Sequence, residues 1–222
     1  MRYILFDLDG TISDPREGIT GSVQYALAAM GIVEKDRAVL EPFIGPPLLD
    51  SFMEFYGMDR ERAKEAVEKY RDRFSVAGLY ENELYPGMAA MLEGLCRDGF
   101  HLAVASSKPE VYVERILKYF QIDGYFEAVV GSELSGERVN KDEVVEEALR
   151  RLFGEREIDR DAVVMVGDRK FDVAGARAMG LRCIGVTYGY AQPGEMEACG
   201  PDWIAAGVEE LERILRNNEK EI

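Results

Sequence analysis

Met1-Arg2-Tyr3-Ile4-Leu5-Phe6-Asp7-Leu8-Asp9-Gly10-Thr11 opens the chain, and its reading decides the fold. Tyr3–Phe6 is a short apolar run that stops at an aspartate, with another aspartate two positions on and then a glycine. Such a run, bounded by turn residues, is the signature of a buried strand in a parallel sheet. Gly10 permits a sharp turn that a side chain would obstruct. Two carboxylates this close raise each other's pKa unless a cation lies between them or one stays protonated. An Asp-Gly turn with a capping aspartate uses the same residues, so the rest of the chain has to decide.

Comparable runs recur at Leu102–Ala105, Glu127–Val130, Ala162–Val166 and Cys183–Val186. Between them lie Val113/Ile116/Leu117/Phe120 and Val144/Val145/Ala148/Leu149/Leu152, each spaced as one helix face, and Val208/Leu211/Ile214/Leu215 closes the chain. This alternation predicts an α/β fold, a Rossmann-like parallel sheet with helices on both faces. The interval from Asp14 to Leu84 breaks the rhythm. It offers only helical stripes: Ile19/Val23/Leu27/Met30, Leu48/Leu49/Phe52/Phe55 and Ala63/Val67/Tyr70/Phe74. That is too long for an ordinary crossover. The reading is a helical cap domain over 14–84, inserted into an α/β core formed by 1–13 and 85–222. Tyr85-Pro86-Gly87 reads as the return hinge, with Pro86 starting the next helix. Placed after the first strand, above the edge where open α/β sheets bind ligands, the insert is a lid candidate.

Other strand ends carry the same chemistry. Val163-Val164-Met165-Val166-Gly167-Asp168 ends in an acid, and Asp172 follows one helical turn on. Asp168 can N-cap a helix beginning near Arg169, and capping alone is one reading of this segment. Parallel strands bring their carboxyl ends to one edge, so Asp7, Asp9, Asp168 and Asp172 should converge there. A hard divalent ion, Mg²⁺ first, is the natural neutraliser. Ser106-Ser107-Lys108-Pro109 follows the second run and offers hydroxyls and backbone N–H groups to an anion, or a serine N-cap for a helix over 109–119. Asn140 through Glu143 reads as a capping box, which puts Lys141 in the first helical turn. A cation there opposes the helix dipole. Either its acidic neighbours Asp142, Glu143, Glu146 and Glu147 offset that cost on a solvated face, or an acidic site next door requires it.

Composition narrows the partners. The 222 residues carry 27 basic and 42 acidic side chains, a formal charge of −15. Such a chain repels nucleic-acid backbones and anionic lipid heads, and no Lys/Arg cluster offsets this. The first acid arrives too early for a signal peptide, and no apolar stretch approaches the roughly 20 residues of a membrane span. The expectation is a cytoplasmic protein with neither nucleic-acid nor membrane partners. Cys96, Cys183 and Cys199 lack metal spacing and read as bystander thiols. His101 is the single histidine, which excludes two-histidine catalysis and His-rich metal sites.

In order and spacing, Asp7-Leu-Asp9-Gly-Thr11, Ser106, Lys141 and Gly167-Asp168 with Asp172 resemble the four motifs of the haloacid-dehalogenase-like (HAD) hydrolase superfamily. The insert resembles its cap. Within the superfamily, Val186-Thr-Tyr-Gly-Tyr190 and Phe43-Ile44-Gly45-Pro46-Pro47-Leu48 are similar to the phosphoglycolate-phosphatase-like branch, which also contains pyrophosphatase-like and nucleotidase-like members. The resemblance implies a phosphatase with Asp7 as nucleophile, forming an aspartyl-phosphate, and Asp9 as general acid and then base. It implies Mg²⁺ on the Asp7 carboxylate, the Asp9 backbone carbonyl and the Asp168 side chain, with Asp172 orienting a metal-bound water or Lys141 from behind. Ser106, Ser107 and Lys141 would hold the phosphoryl oxygens.

Asp9 selects among the superfamily's reactions. The dehalogenases lack this second aspartate, phosphosugar mutases of similar build use a cap histidine absent from 14–84, and phosphonate hydrolases need a cap lysine for a Schiff base, which Lys35, Lys64 or Lys69 could in principle supply. The expected reaction is therefore hydrolysis of a small phosphorylated metabolite, whether 2-phosphoglycolate, a nucleoside monophosphate, a sugar phosphate or pyrophosphate. The competing class is a non-enzymatic phospho-acceptor switch, although receiver domains take their acceptor from a middle strand and lack the insert. Ile44, Gly45 and Pro46, in a rigid turn between helices of the insert, are weak candidates for substrate selection. An ordinary interhelix turn explains them equally well.

Overall fold

A computed structural model describes residues 2–217; the last five residues of the core range expected to 222 lie outside it. The chain separates into two compact units, one formed by the chain up to Ser13 and from Leu84 onward, the other by Asp14–Glu83. The first is built from β1 (Tyr3–Phe6), α4 (Met88–Arg97), β4 (His101–Pro109), α5 (Glu110–Tyr119), β5 (Phe126–Ser132), α6 (Lys141–Phe153), β6 (Val163–Gly167), α7 (Lys170–Ala178), β7 (Arg182–Val186), α8 (Glu195–Cys199), β8 (Trp203–Ala205) and α9 (Val208–Asn217). Its strands form one parallel sheet in the order β5-β4-β1-β6-β7-β8. This is the α/β architecture that the alternating runs predict.

The register positions the site. In β1, Phe6 lies opposite Val104 of β4 and Val166 of β6, so Asp7 comes off β1 beside Ala105 and Gly167, toward the carboxyl edge that the three parallel strands share. From β1 the chain builds outward to β4 and β5 on one side and returns to β6, β7 and β8 on the other. That makes the end of β1 the switch point at which open α/β sheets bind ligands. One sheet face buries Leu5, Ala103, Val163 and Met165 against Val144, Val145, Ala148 and Leu149 of α6. Each fully buried aliphatic side chain there contributes ~1.5–3 kcal/mol, which gives the strand ends a rigid base.

Several local expectations change. β4 continues through the serines to Pro109 and α5 starts at Glu110, so neither serine is a helix N-cap. α7 begins at Lys170 with Arg169 at the N-cap position; Asp172 accepts the Arg169 N–H at 3.0 Å, and Asp168 is not the cap. α4 begins at Met88 behind Gly87, whose φ of 85° ends the hinge, so Pro86 lies outside the helix. Strand β8 and a two-stranded ribbon of β2 (Ser13–Asp14) with β3 (Glu83–Leu84) were not expected.

The second unit contains α1 (Arg16–Ala29), α2 (Leu48–Tyr56) and α3 (Arg60–Arg73), with a 3-10 segment at Arg37–Phe43 and a π-turn at Phe74–Gly78. Phe43 packs edge-on against Phe52 and Phe55, with ring centroids 5.0 and 5.2 Å apart. Arg73 grips both oxygens of Glu81 at 2.8 Å and reaches Ser22 at 3.1 Å. The three cysteines are free, Cys183 buried and the others half-buried. No helix among the described residues is long and apolar enough to cross a membrane.

Candidate functional site

Asp7 is the first residue past β1, and Asp9 follows it into a turn closed by the Thr11, Ile12 and Ser13 amides on the Leu8 carbonyl. Both aspartates are buried. Gly10 makes this possible twice over. Its φ of +82° suits glycine, and an added Cβ would lie 2.1 Å from Oδ2 of Asp168.

The Asn140–Glu143 capping box forms, with Glu143 accepting the Asn140 N–H at 3.1 Å, and Lys141 opens α6 as the sequence predicts. Its stem runs past Gly175 of α7, where a Cβ would meet it at 2.6 Å. The ammonium then lies 2.9 Å from Oδ1 of Asp7 and 2.8 Å from Oδ1 of Asp172, and donates to the Ala105 carbonyl at 3.1 Å. Burial alone would lower the Lys141 pKa; Asp172 and Asp7 outweigh it and hold the group charged. The alternative of a solvated lysine is excluded, since its side chain is only 6% exposed.

Asp168 is held from the loop after β7, where the Tyr190 amide donates to its Oδ2 at 2.6 Å. In the same loop the Tyr188 hydroxyl donates to the Thr11 carbonyl at 3.0 Å. Asp7, Asp168 and Asp172 each present an oxygen within 4.8 Å of the others, while Oδ1 of Asp168 is buried with no hydrogen-bond partner among the described residues. Burial, with Asp172 and Asp7 adding to it, drives the Asp168 pKa well above the carboxylate range, and burial likewise raises Asp172 against the pull of Lys141. Three carboxylates facing one ammonium leave a formal deficit of two positive charges. An oxygen-only donor set with that deficit and an orphaned carboxylate oxygen fits a hard divalent cation.

Asp9 belongs to a separate pair. Its Oδ2 is bound by the Lys108 ammonium, its carboxylate is not in the three-acid cluster, and burial raises its pKa ahead of the lowering effect of Lys108. Ser106 is buried at the same strand end, and the Ser107 carbonyl accepts from Ser132 at 2.7 Å. Ile44, Gly45 and Pro46 belong to the other unit, where buried Ile44 caps the 3-10 segment and Gly45 has a φ of 105°. Sequence reasoning missed three contributors: Lys108 on Asp9, and Tyr188 and Tyr190 in the loop that braces Asp168 and Thr11. The lysine stood in a stretch already singled out; its partner 99 residues away was not readable.

The chain is similar to known proteins over nearly its whole length. The haloacid dehalogenase-like hydrolase family matches residues 4–186. A Pseudomonas aeruginosa protein named 5'-nucleotidase is 47% identical over 98% of both chains. The Mycobacterium tuberculosis protein named tyrosine-protein kinase PtkA is 35% identical over 96% of this chain and 72% of its own. At 28% identity, a Vibrio parahaemolyticus phosphoglycolate phosphatase matches 97% of this chain and 96% of its own. The crystal structure of a Clostridium acetobutylicum protein described as a predicted phosphatase superposes with a TM-score of 0.92 at 44% identity, covering 97% of this chain and 98% of that one.

Proposed function

The chain belongs to the haloacid dehalogenase-like hydrolase family, and on that premise we propose that it is a magnesium-dependent phosphatase. It hydrolyses a small phosphomonoester through an aspartyl-phosphate on Asp7. The observation that carries the reading is the single buried ammonium of Lys141 shared by Asp7 and Asp172, beside the orphaned oxygen of Asp168. Lys141 fixes the Asp7 carboxylate and offsets the charge that would repel an incoming phosphate dianion. Asp7 attacks phosphorus; as its P–O bond forms, the ester P–O bond breaks, and the leaving oxygen keeps the electron pair and takes the proton of Asp9. Asp9, now a carboxylate, receives a proton from the water that hydrolyses the acyl phosphate. Ser106 and Ser107 donate to the phosphoryl oxygens. Asp7, Asp168 and the Asp9 carbonyl would hold Mg²⁺, with Asp172 behind them. When bound, the ion supplies charge neutralisation to the phosphoryl oxygens.

Which ester is hydrolysed belongs to the inserted helical unit, read here as the cap, with the Ile44–Leu48 turn as its candidate selector. The relative named 5'-nucleotidase, at 47% identity over nearly the whole chain, moves the first expectation from 2-phosphoglycolate to a nucleoside 5'-monophosphate. A second reading, 2-phosphoglycolate, keeps the support of the relative at 28%. A steady-state assay with Mg²⁺ over a panel of both esters, sugar phosphates, pyrophosphate and p-nitrophenyl phosphate tests the proposal. Sustained turnover that chelation abolishes supports it, whereas a single stoichiometric phosphorylation of Asp7 sinks it in favour of a phospho-acceptor switch.

A further inference from the structure

Lys108 lies in the last turnless stretch of β4, two residues past Ser106, and its buried ammonium binds Oδ2 of Asp9. The side chains are 6% and 9% exposed, so the pair is shielded from solvent. The pair is as enclosed as those of Lys141, and the other oxygen of Asp9 behaves differently. Oδ1 of Asp9 is buried and has no hydrogen-bond partner among the described residues. One carboxyl group thus has one oxygen anchored by a cation and one left open. An unsatisfied buried oxygen costs stability, and a fold retains such a cost where a ligand group completes the bond.

We propose that Lys108 is a positioning residue for proton transfer: by holding Oδ2 it fixes the Asp9 carboxyl so that Oδ1 faces the oxygen of the leaving group. The inference rests on the phosphatase reading and deepens it. During the first half-reaction the proton on Oδ1 passes to the ester oxygen as the P–O bond breaks, the bonding pair stays on that oxygen, and the new Asp9 carboxylate already has the Lys108 ammonium on its other oxygen. Nothing else is consumed. The same arrangement accounts for a lysine whose side chain is only 6% exposed at the end of a strand that earlier carries the buried Ala103, Val104 and Ala105.

The test is the dependence of kcat/KM on the leaving group, since kcat/KM reports steps up to departure of that group and omits the hydrolysis common to all esters. An alkoxide needs protonation; a dinitrophenolate does not. For Lys108→Met, the loss in kcat/KM should be ~10–100-fold for an alkyl phosphate and at least about tenfold smaller for 2,4-dinitrophenyl phosphate. In the double variant with Asp9→Asn, replacing Lys108 should cost no further activity, because the lysine acts through that carboxyl. Lys108→Gln, which keeps an N–H but not the charge, serves if the methionine variant fails to fold by circular dichroism. Equal losses across all esters, or a loss that adds to that of Asp9→Asn, overturn the proposal. If Asp9→Asn steepens the dependence while the lysine variants do not, only the role of Lys108 fails. If Asp9→Asn itself leaves the slope unchanged, or the native enzyme turns over no ester, the phosphatase reading of Asp9 falls and takes the inference with it.

Discussion

Helix α6 carries a cluster of charge at each end, and the two differ in almost everything but distance. At its start Lys141 lies 2.8–2.9 Å from two carboxylates, buried and opposed to the helix dipole. Near its end Arg150 and Arg151 lie 2.6 and 2.8 Å from Glu147, Arg150 exposed and the other two partly so, and the arginines are aligned with the dipole. Arg151 also reaches Glu110 at 2.9 Å. The Glu147 pairs of the second cluster could be drawn from the sequence of one helix. The first needs three strand ends and two helices, and its charges do not balance. Proximity is therefore a poor guide to what an ion pair does. The partly solvated pairs are satisfied and weak, whereas the buried group is held in a charge deficit that, under the proposed function, a cation would offset.

If that deficit is the catalytic device, the largest effect comes from its nucleophile. Asp7→Asn should abolish turnover of p-nitrophenyl phosphate with Mg²⁺ and remove the phosphorylated Asp7 peptide detectable by mass spectrometry after a rapid quench. Residual activity above a few per cent of native would place the chemistry elsewhere. Lys141→Met attacks the same cluster through stability. Removing one partner of a buried pair costs about 3–5 kcal/mol, and at roughly 2–4 °C per kcal/mol for a domain of this size the Tm should fall by about 6–20 °C. A fall as small as that of a surface lysine would erase the contrast between the two ends of α6.

How much of this was readable beforehand follows from the range of the interactions. Tyr3–Phe6 and the face Val144/Val145/Ala148/Leu149/Leu152 were legible because burial on a sheet or helix imposes a local period. The capping box at Asn140 was legible for the same reason, and it located Lys141. The sequence left open whether Asp168 caps a helix, because an acid at 168 and one at 172 can both reach a helix start; the chain uses Asp172, and Asp168 joins the acid cluster. β8 is three residues long and carries too little pattern to detect. The pairing of Lys108 with Asp9, and the support of Asp168 by the Tyr190 amide, join residues far apart in sequence and leave no periodic trace.

The buried cluster should also show itself in pH dependence when metal is removed. A carboxyl whose folded pKa is raised binds more protons folded than unfolded, so stability falls as pH rises from the unfolded value through the folded one. For Asp172 that window runs from 3.8 to about 6, with Asp168 displaced in the same direction. In EDTA the Tm should therefore drop by a few degrees between pH 5 and pH 7.5, and Mg²⁺ should restore it most at the higher pH. Asp168→Asn should flatten the metal-free slope. A metal-free Tm that rises over this interval would mean that the three acids are not facing one another uncompensated.

The smallest effect belongs to the solvated end, and it completes the contrast. Arg151→Ala removes contacts to Glu147, Glu110 and the Val129 carbonyl, more bonds than Lys141 makes to side chains. By bond count it should be the more damaging change. By environment it should not, since exposed pairs contribute ~1 kcal/mol or less each and are screened by salt. The expected loss is only a few degrees in Tm, shrinking in 1 M NaCl, with kcat/KM unchanged. A loss matching that of Lys141→Met and insensitive to salt would show that the Arg151 network, and not the buried ammonium, anchors α6 to the sheet.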